Sequence, residues 1–202
     1  FLLLLLSHLL HASELLVTRT TDGTYAEGEL RVVLQHACDV SGDDTIRFEK
    51  TRLSEIRIPL TKSLVIPLDC RGSVVLIGSE QVETLLDASA LSGGGLTPGD
   101  NCTLHLYSDH HTLRNITFVN NRNGAGVCLF GRENRVEENR FGRGRSGLAE
   151  PNQYGIVITD VFSSKYPQMD GGQNQIIGND IFFNERDGIF VKANQASIQS
   201  NI

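Results

Sequence analysis

The chain has 202 residues, enough to bury the core of one domain. Its 20 glycines and an aromatic content of only 6% suit short strands joined by tight turns. A net charge of −6 argues against general nucleic-acid binding, and no Walker-type loop or zinc-finger spacing occurs.

Phe1 to Leu10 is almost wholly leucine and too short to cross a bilayer. It reads as the apolar core of a secretory signal over residues 1–13, with the small residues Ala12 and Ser13 near a cleavage point. The competing reading is a buried N-terminal helix. With no initiator Met and no basic n-region, the sequence is expected to begin inside the signal. The expectation is a secreted or cell-surface protein with no membrane span apart from that segment.

Residues 14–55 read as an N-terminal cap. Leu15-Leu-Val-Thr18 predicts a strand and Thr21-Asp-Gly-Thr24 a turn. In Glu29–Cys38, Leu30, Val33, Leu34 and Ala37 share one helical face. Asp44-Thr-Ile-Arg-Phe48 follows as a strand. A short amphipathic helix here can cover the open edge of a repeat array.

From Ile56 to Ala88, apolar runs alternate with turns: Ile56–Leu60, Leu64–Ile66, Val74–Ile77 and Thr84–Asp87. They read as one or two irregular early coils. Ser92-Gly-Gly-Gly95 then predicts a loop. Regular repeats follow. The step is 9 residues from Leu104 to Leu113, from Val127 to Val136 and from Ile189 to Ile198. From Ile156 to Ile176 it is 20, so that copy carries 11 extra residues. Between copies, Leu104 to Val127 is 23 and Ile176 to Ile198 is 22. A period near 22 with two short strands predicts a solenoid, in which each coil buries its neighbour's apolar row. By alternation, Val127, Leu129, Ile156, Ile158, Ile189 and Val191 face inward. Asn139, Asn179 and Asn201 each follow an inward residue by three, which predicts an asparagine ladder starting one coil after Ile116. The alternative is a scatter of turn asparagines. Because the chain stops at Asn201-Ile202 inside a repeat, it is expected to be truncated at the C-terminus, with coils over 56–202.

The Gly-Ile-x-Ile and Ile-x-x-Asn-x-Ile/Phe elements over residues 102–202 resemble those of right-handed parallel β-helix proteins, the pectin-lyase-like superfamily. The fold class this implies is all-β, a right-handed parallel β-helix with a short N-terminal capping helix. Leu30-Arg31 and Asp44-Thr-Ile-Arg-Phe48 resemble the cap of bacterial secreted β-helix proteins. Many activities share this fold.

Of the four cysteines, Cys38 and Cys70 are the more plausible pair, with free thiols as the alternative. Cys102 and Cys128 do not fit one period, since His105 should stack beside Cys128. Asn101-Cys-Thr103 and Asn115-Ile-Thr117 have the form of glycosylation sequons, without meaning in a bacterial host.

Outward positions form two expected columns, His105/Cys128/Val157/Phe190 and Tyr107/Phe130/Thr159/Lys192. An exposed aromatic row can stack on sugar rings, so Tyr107, Phe130, Tyr166 and Phe190 are the substrate-binding candidates. Two lengthened loops, 142–153 and 161–173, border the strand 154–160 and carry Arg143, Arg145, Glu150, Asp160, Lys165, Tyr166 and Asp170. Arginine suits the planar carboxylate of a uronic acid. A lyase of the superfamily would use Arg143, Arg145, Lys165 or Lys192 as base, with calcium held by Asp160 and Asp170. A hydrolase would need two opposed carboxylates, but the Asp signatures of polygalacturonase-like relatives are not found in matching context. Asp109-His110-His111 reads as a solvated turn rather than a catalytic group. The expected partner is a polysaccharide, bound or cleaved by a monomer. The alternative is a non-catalytic adhesin or structural stalk, whose polar turns would be evenly spread instead of gathered near the long loops.

Overall fold

Each short apolar run becomes a strand, and successive runs pair in parallel with the run one circuit earlier. The structure, a computed structural model, describes residues 12–49, 53–92, 101–163 and 166–202, with side chains described except at 161–169. The chain opens with β1 (Glu14–Val17) and helix α1 (Leu30–Asp39). A first circuit is β2 (Asp44–Phe48), β3 (Glu55–Pro59) and β4 (Leu64–Ile66). The second is β5 (Val74–Ile77), β6 (Glu83–Asp87) and β7 (Cys102–Leu106). The third is β8 (Thr112–Arg114), β9 (Thr117–Val119) and β10 (Ala125–Leu129). The fourth is β11 (Arg135–Glu137), β12 (Arg140–Phe141) and β13 (Tyr154–Thr159). An antiparallel pair interrupts, β14 (Val161–Ser163) with β15 (Tyr166–Met169). The fifth circuit is β16 (Gln175–Ile177), β17 (Asp180–Ile181) and β18 (Ile189–Lys192), and β19 (Ser197–Gln199) starts another.

These strands build three parallel sheets. The first is β1-β2-β5-β8-β11-β16-β19, the second β3-β6-β9-β12-β17 and the third β4-β7-β10-β13-β18. Every circuit adds one strand to each sheet in the same order. The result is an all-β architecture with one short helix, compatible with a parallel β-helix. Spacing predicted two strands per period, whereas the structure has three. In the regular circuits the additional strand holds only two or three residues, as in Arg140–Phe141, too few for alternation to reveal.

Register places the aliphatic residues in columns. Leu64, Leu104, Val127, Ile156 and Ile189 are successive partners, and so are Ile66, Leu106, Leu129, Ile158 and Val191. On the second sheet, Leu86, Phe118, Phe141 and Ile181 align, with the two rings stacked at 5.1 Å. Most of these side chains are wholly buried. Each such burial contributes about 1.5–3 kcal/mol, the main drive for stacking.

The corners are built by asparagine. Asn139 Oδ1 accepts the N–H of Ile116, Asn179 Oδ1 that of Asn139, and Asn201 Oδ1 that of Asn179. The predicted ladder is thus present and starts after Ile116. Two further ladders were not predicted. One runs His111, Asn134, Asn174 and the other Asn121, Asn152, Asn184. The residue before most rungs is left-handed, including His110, Glu133, Glu138, Gln173 and Phe183. That conformation turns the chain and leaves its amides for the next rung to satisfy.

Helix α1 buries Leu30, Val33, Leu34, Ala37 and Cys38 and touches β1, β2 and β4, so it covers the first circuit as expected. Arg31 clamps it, paired with Asp22 at 2.8 Å and bonded to the Ser63 carbonyl. Parallel pairing begins at β1 with β2, earlier than the expected boundary at residue 55. The segment 1–11, Gly93–Gly95 and Lys165 lie outside the described residues.

Both cysteine pairs are joined, Cys38–Cys70 and Cys102–Cys128. The second corrects the spacing argument. Cys128 does pair in register with His105, yet Cys102 and Cys128 lie in one outer cluster. Alternation fails at Gly126: a Cβ there would meet Phe141 at 2.7 Å, inside the core, and Val127 is also in the core. Two consecutive inward positions mark a corner, and they put Cys102 and Cys128 on the same side.

Candidate functional site

The long loop 142–153 lies against the outer face of the second sheet. Strand alternation turns Arg57 of β3, Asp87 of β6 and Arg140 of β12 outward, and the loop brings Glu150 over them. Arg57 Nη1 donates to Asp87 at 2.6 Å and to Glu150 at 2.9 Å, and its Nε donates to Glu55 at 3.0 Å. Asn120 Nδ2 bridges the same Asp87 and Glu150 at 3.1 and 3.2 Å. Glu83 accepts the Arg145 backbone N–H at 2.8 Å and the Thr117 hydroxyl at 2.8 Å, which pins the loop. Arg143 reaches across to Asp180 at 3.1 Å and lies over the Phe182 ring, 3.7 Å from its centroid. Arg140 is 3.7 Å from Asp180.

Charge decides what this group can do. Glu150 chiefly, opposed by burial and helped by Asp87 and Glu55, holds the Arg57 guanidinium above its ordinary value. Burial pushes the Asp87 carboxyl up, but bonds from Ser89, Arg57 and Asn120 outweigh it and keep the group below its ordinary value. Asp87 is therefore an ionised anchor, not a proton donor. Two carboxylates with a guanidinium between them do not form the acid and nucleophile of a glycoside hydrolase.

The sequence-predicted residues divide. Arg143 and Arg145 come together with Glu150 in this loop, and Arg145 keeps an exposed side chain without a partner among the described residues. Lys192 is exposed in β18, on the third sheet, and does not join them. Asp160 accepts the Gly171 N–H at 3.1 Å, and Asp170 takes the Gly172 N–H at 3.0 Å and Arg132 at 2.7 Å. Among the described residues, no group of three acidic, His or Cys side chains gathers around this pair. Tyr166 belongs to β15 by its backbone, and its side chain lies outside the described set.

The outer face of the third sheet carries the expected columns, but it is not an exposed row. Phe130 is buried at 4%, stacked on Tyr107 at 4.8 Å and on His105 at 6.0 Å. Phe190, half-buried, meets Tyr154 edge-on at 6.0 Å. Phe130 cannot offer a free ring face to a sugar in this arrangement; it forms an outer core with the Cys102–Cys128 disulfide.

His111 corrects another expectation. It is fully buried, and its Nδ1 accepts the Val74 N–H at 3.0 Å. That bond leaves the ring proton on Nε2, where it faces Ser108 Oγ at 2.6 Å. The imidazole therefore donates to Ser108 and cannot take its proton, so the pair is structural rather than nucleophilic. Burial lowers both His105 and His111 to about 4.

Sequence reasoning missed Arg57, Glu83, Asp87, Asn120 and Asp180. Arg57 and Glu150 are 93 residues apart, beyond any local pattern. Arg140 and Asp180 were within reach: each directly follows a rung of the predicted ladder, so they had to be strand partners. A scan against protein-family models returned no match, and no curated protein matches the sequence. Among the described residues, no helix is long and apolar enough to cross a membrane.

Proposed function

We propose that the chain is a secreted or cell-surface right-handed parallel β-helix protein of the pectin-lyase-like kind that binds an acidic, uronic-acid polysaccharide beside its long loop. Three parallel sheets visited in fixed order support the fold, since parallel crossovers are right-handed in nearly all proteins. The observation that carries the binding reading is the docking of 142–153 on the second sheet. It sets Arg143 over the Phe182 ring and holds the Arg145 backbone on Glu83, so one docked loop carries two guanidinium groups of the kind that suit a carboxylated sugar. Binding is favoured over cleavage because Arg143, a candidate base, is already held by Asp180.

The adhesin or stalk reading also has an observation behind it: Arg57, Arg140 and Arg143 are all neutralised within the protein. Titration of the chain with polygalacturonate and alginate oligomers separates the two. Binding that weakens about tenfold in Arg145→Ala, equivalent to about 1.4 kcal/mol, supports the acidic-glycan reading. No binding across a panel of acidic glycans removes it in favour of the stalk. Release of unsaturated product, followed by absorbance, would add lyase activity.

A further inference from the structure

A second concave site lies away from that loop, at the corner between the third and first sheets. It is a cleft of about 590 Å³ whose lining includes Asp43, Leu68, Arg71, Ser73, Ser108 and Asp109. Three successive circuits supply these residues: Asp43 precedes β2, Arg71 and Ser73 precede β5, and Ser108 and Asp109 follow β7. The floor is rigid. A Cβ on Gly72 would sit 1.6 Å from the Gly42 carbonyl oxygen, so the backbones touch there. The Cys38–Cys70 disulfide and the bond from Arg71 N–H to the Cys38 carbonyl at 3.1 Å tie the segment to α1.

The polar groups are half-used. Asp43 spends Oδ1 on Ser73, at 2.7 Å from its hydroxyl, and Asp109 spends Oδ1 on the Arg132 N–H at 2.7 Å. Each keeps its second oxygen free of partners among the described residues. Because His111 donates to Ser108 Oγ, the Ser108 hydroxyl proton is left to point elsewhere. The Arg71 side chain is exposed and has no partner among the described residues, and Leu68, 55% exposed, supplies an apolar wall.

We infer that this cleft binds a neutral hexose unit of a glycan. Free carboxylate oxygens accept from adjacent sugar hydroxyls, Arg71 and Ser108 donate to others, and Leu68 covers the apolar face of the ring. Two carboxylates against one guanidinium disfavour a uronate here, so the site differs in chemistry from the arginine-bearing loop. A fixed floor lowers the ordering cost of binding.

The test is a titration of ¹⁵N-labelled protein with neutral glucose, galactose and mannose trisaccharides, read as amide shifts. The expected result is saturable shifts at residues 70–73 and 108–110 with at least one sugar. Arg71→Ala and Asp109→Asn should each weaken that binding about tenfold while leaving the unfolding temperature unchanged. Shifts elsewhere only, no shifts with any of the three sugars, or equal affinity in both variants would overturn the inference. Because the readout is site-resolved and the sugars are uncharged, its failure leaves uronate binding at the 142–153 loop a separate question.

Discussion

Asn139 Nδ2 donates to Asn179 Oδ1 at 3.2 Å, and that same oxygen accepts the Asn139 backbone N–H at 3.0 Å. One side chain thus satisfies two groups of the rung before it. Asn139 in turn serves Ile116 N–H at 3.0 Å and the Leu113 carbonyl at 2.9 Å. Asn139→Ala leaves those two backbone groups buried without partners. The expected cost is about 2–4 kcal/mol, read as a lower midpoint in urea. Asn201→Ala, at a half-buried rung that water reaches, should cost about 1 kcal/mol. Equal losses at the two positions would contradict a buried ladder.

The left-handed residue before each rung gives an opposite pair of effects. Glu138 has φ +56 where the equivalent residue one circuit later is Gly178, φ +63. Glu138→Gly relieves backbone strain of about 1–2 kcal/mol against a smaller loss of chain entropy, so the thermal midpoint should rise by about 1–3 °C. A Cβ at Gly178 meets no atom within 4 Å, so the effect of Gly178→Ala is backbone strain alone, and the midpoint should fall by several degrees. Calorimetry on both variants checks the signs.

Acid should destabilise the fold in a definite window. His105 and His111 sit at about 4, below the ordinary 6.5, because burial penalises the imidazolium. A depressed folded value means the stabilisation is complete above 6.5 and is lost as pH falls toward 4. Each histidine represents on the order of 3 kcal/mol. Below that window, protonation of Asp22 and Asp87, both held under the ordinary carboxylate value, should remove more. His111→Asn places the ladder residue of Asn134 and Asn174 in the same column and deletes one titration. Its unfolding free energy should fall about half as steeply between pH 6.5 and 4 as that of the parent.

Arg57 joins elements 93 residues apart. Arg57→Ala leaves Asp87 and Glu150 as close like charges and should cost about 2–4 kcal/mol. Glu150→Gln keeps bonding groups at the loop and should cost less, about 1 kcal/mol. Faster proteolysis within 142–153 in Arg57→Ala than in Glu150→Gln would accompany this. Equal stability of the two variants would mean the pair is a solvated surface bridge.

How much of this was legible in the sequence follows from period. Val127, Ile156 and Ile189 were readable as neighbours because one aliphatic step repeats, and Asn139, Asn179 and Asn201 because they keep a fixed offset from it. The corner at Gly126 was not, since alternation assumes a straight strand. That hid the Cys102–Cys128 bond, while Phe130 points outward as expected but is covered by its stacking on Tyr107 and His105. His111 was misread because a histidine occupying an asparagine rung has no mark of its own in sequence. The ladder through Asn121, Asn152 and Asn184 was masked by the loop inserted between its first two rungs. The charged group on the second sheet depends on that loop folding back, a long-range event without local signal.

The most direct test of the stacking is methyl-resolved NMR on protein labelled at Ile, Leu and Val. Register makes Leu104, Val127, Ile156 and Ile189 consecutive neighbours, so nuclear Overhauser contacts should link their methyl groups in that order. Contacts confined to residues near in sequence, with Ile156 silent toward both Val127 and Ile189, would contradict the architecture and every site built upon it.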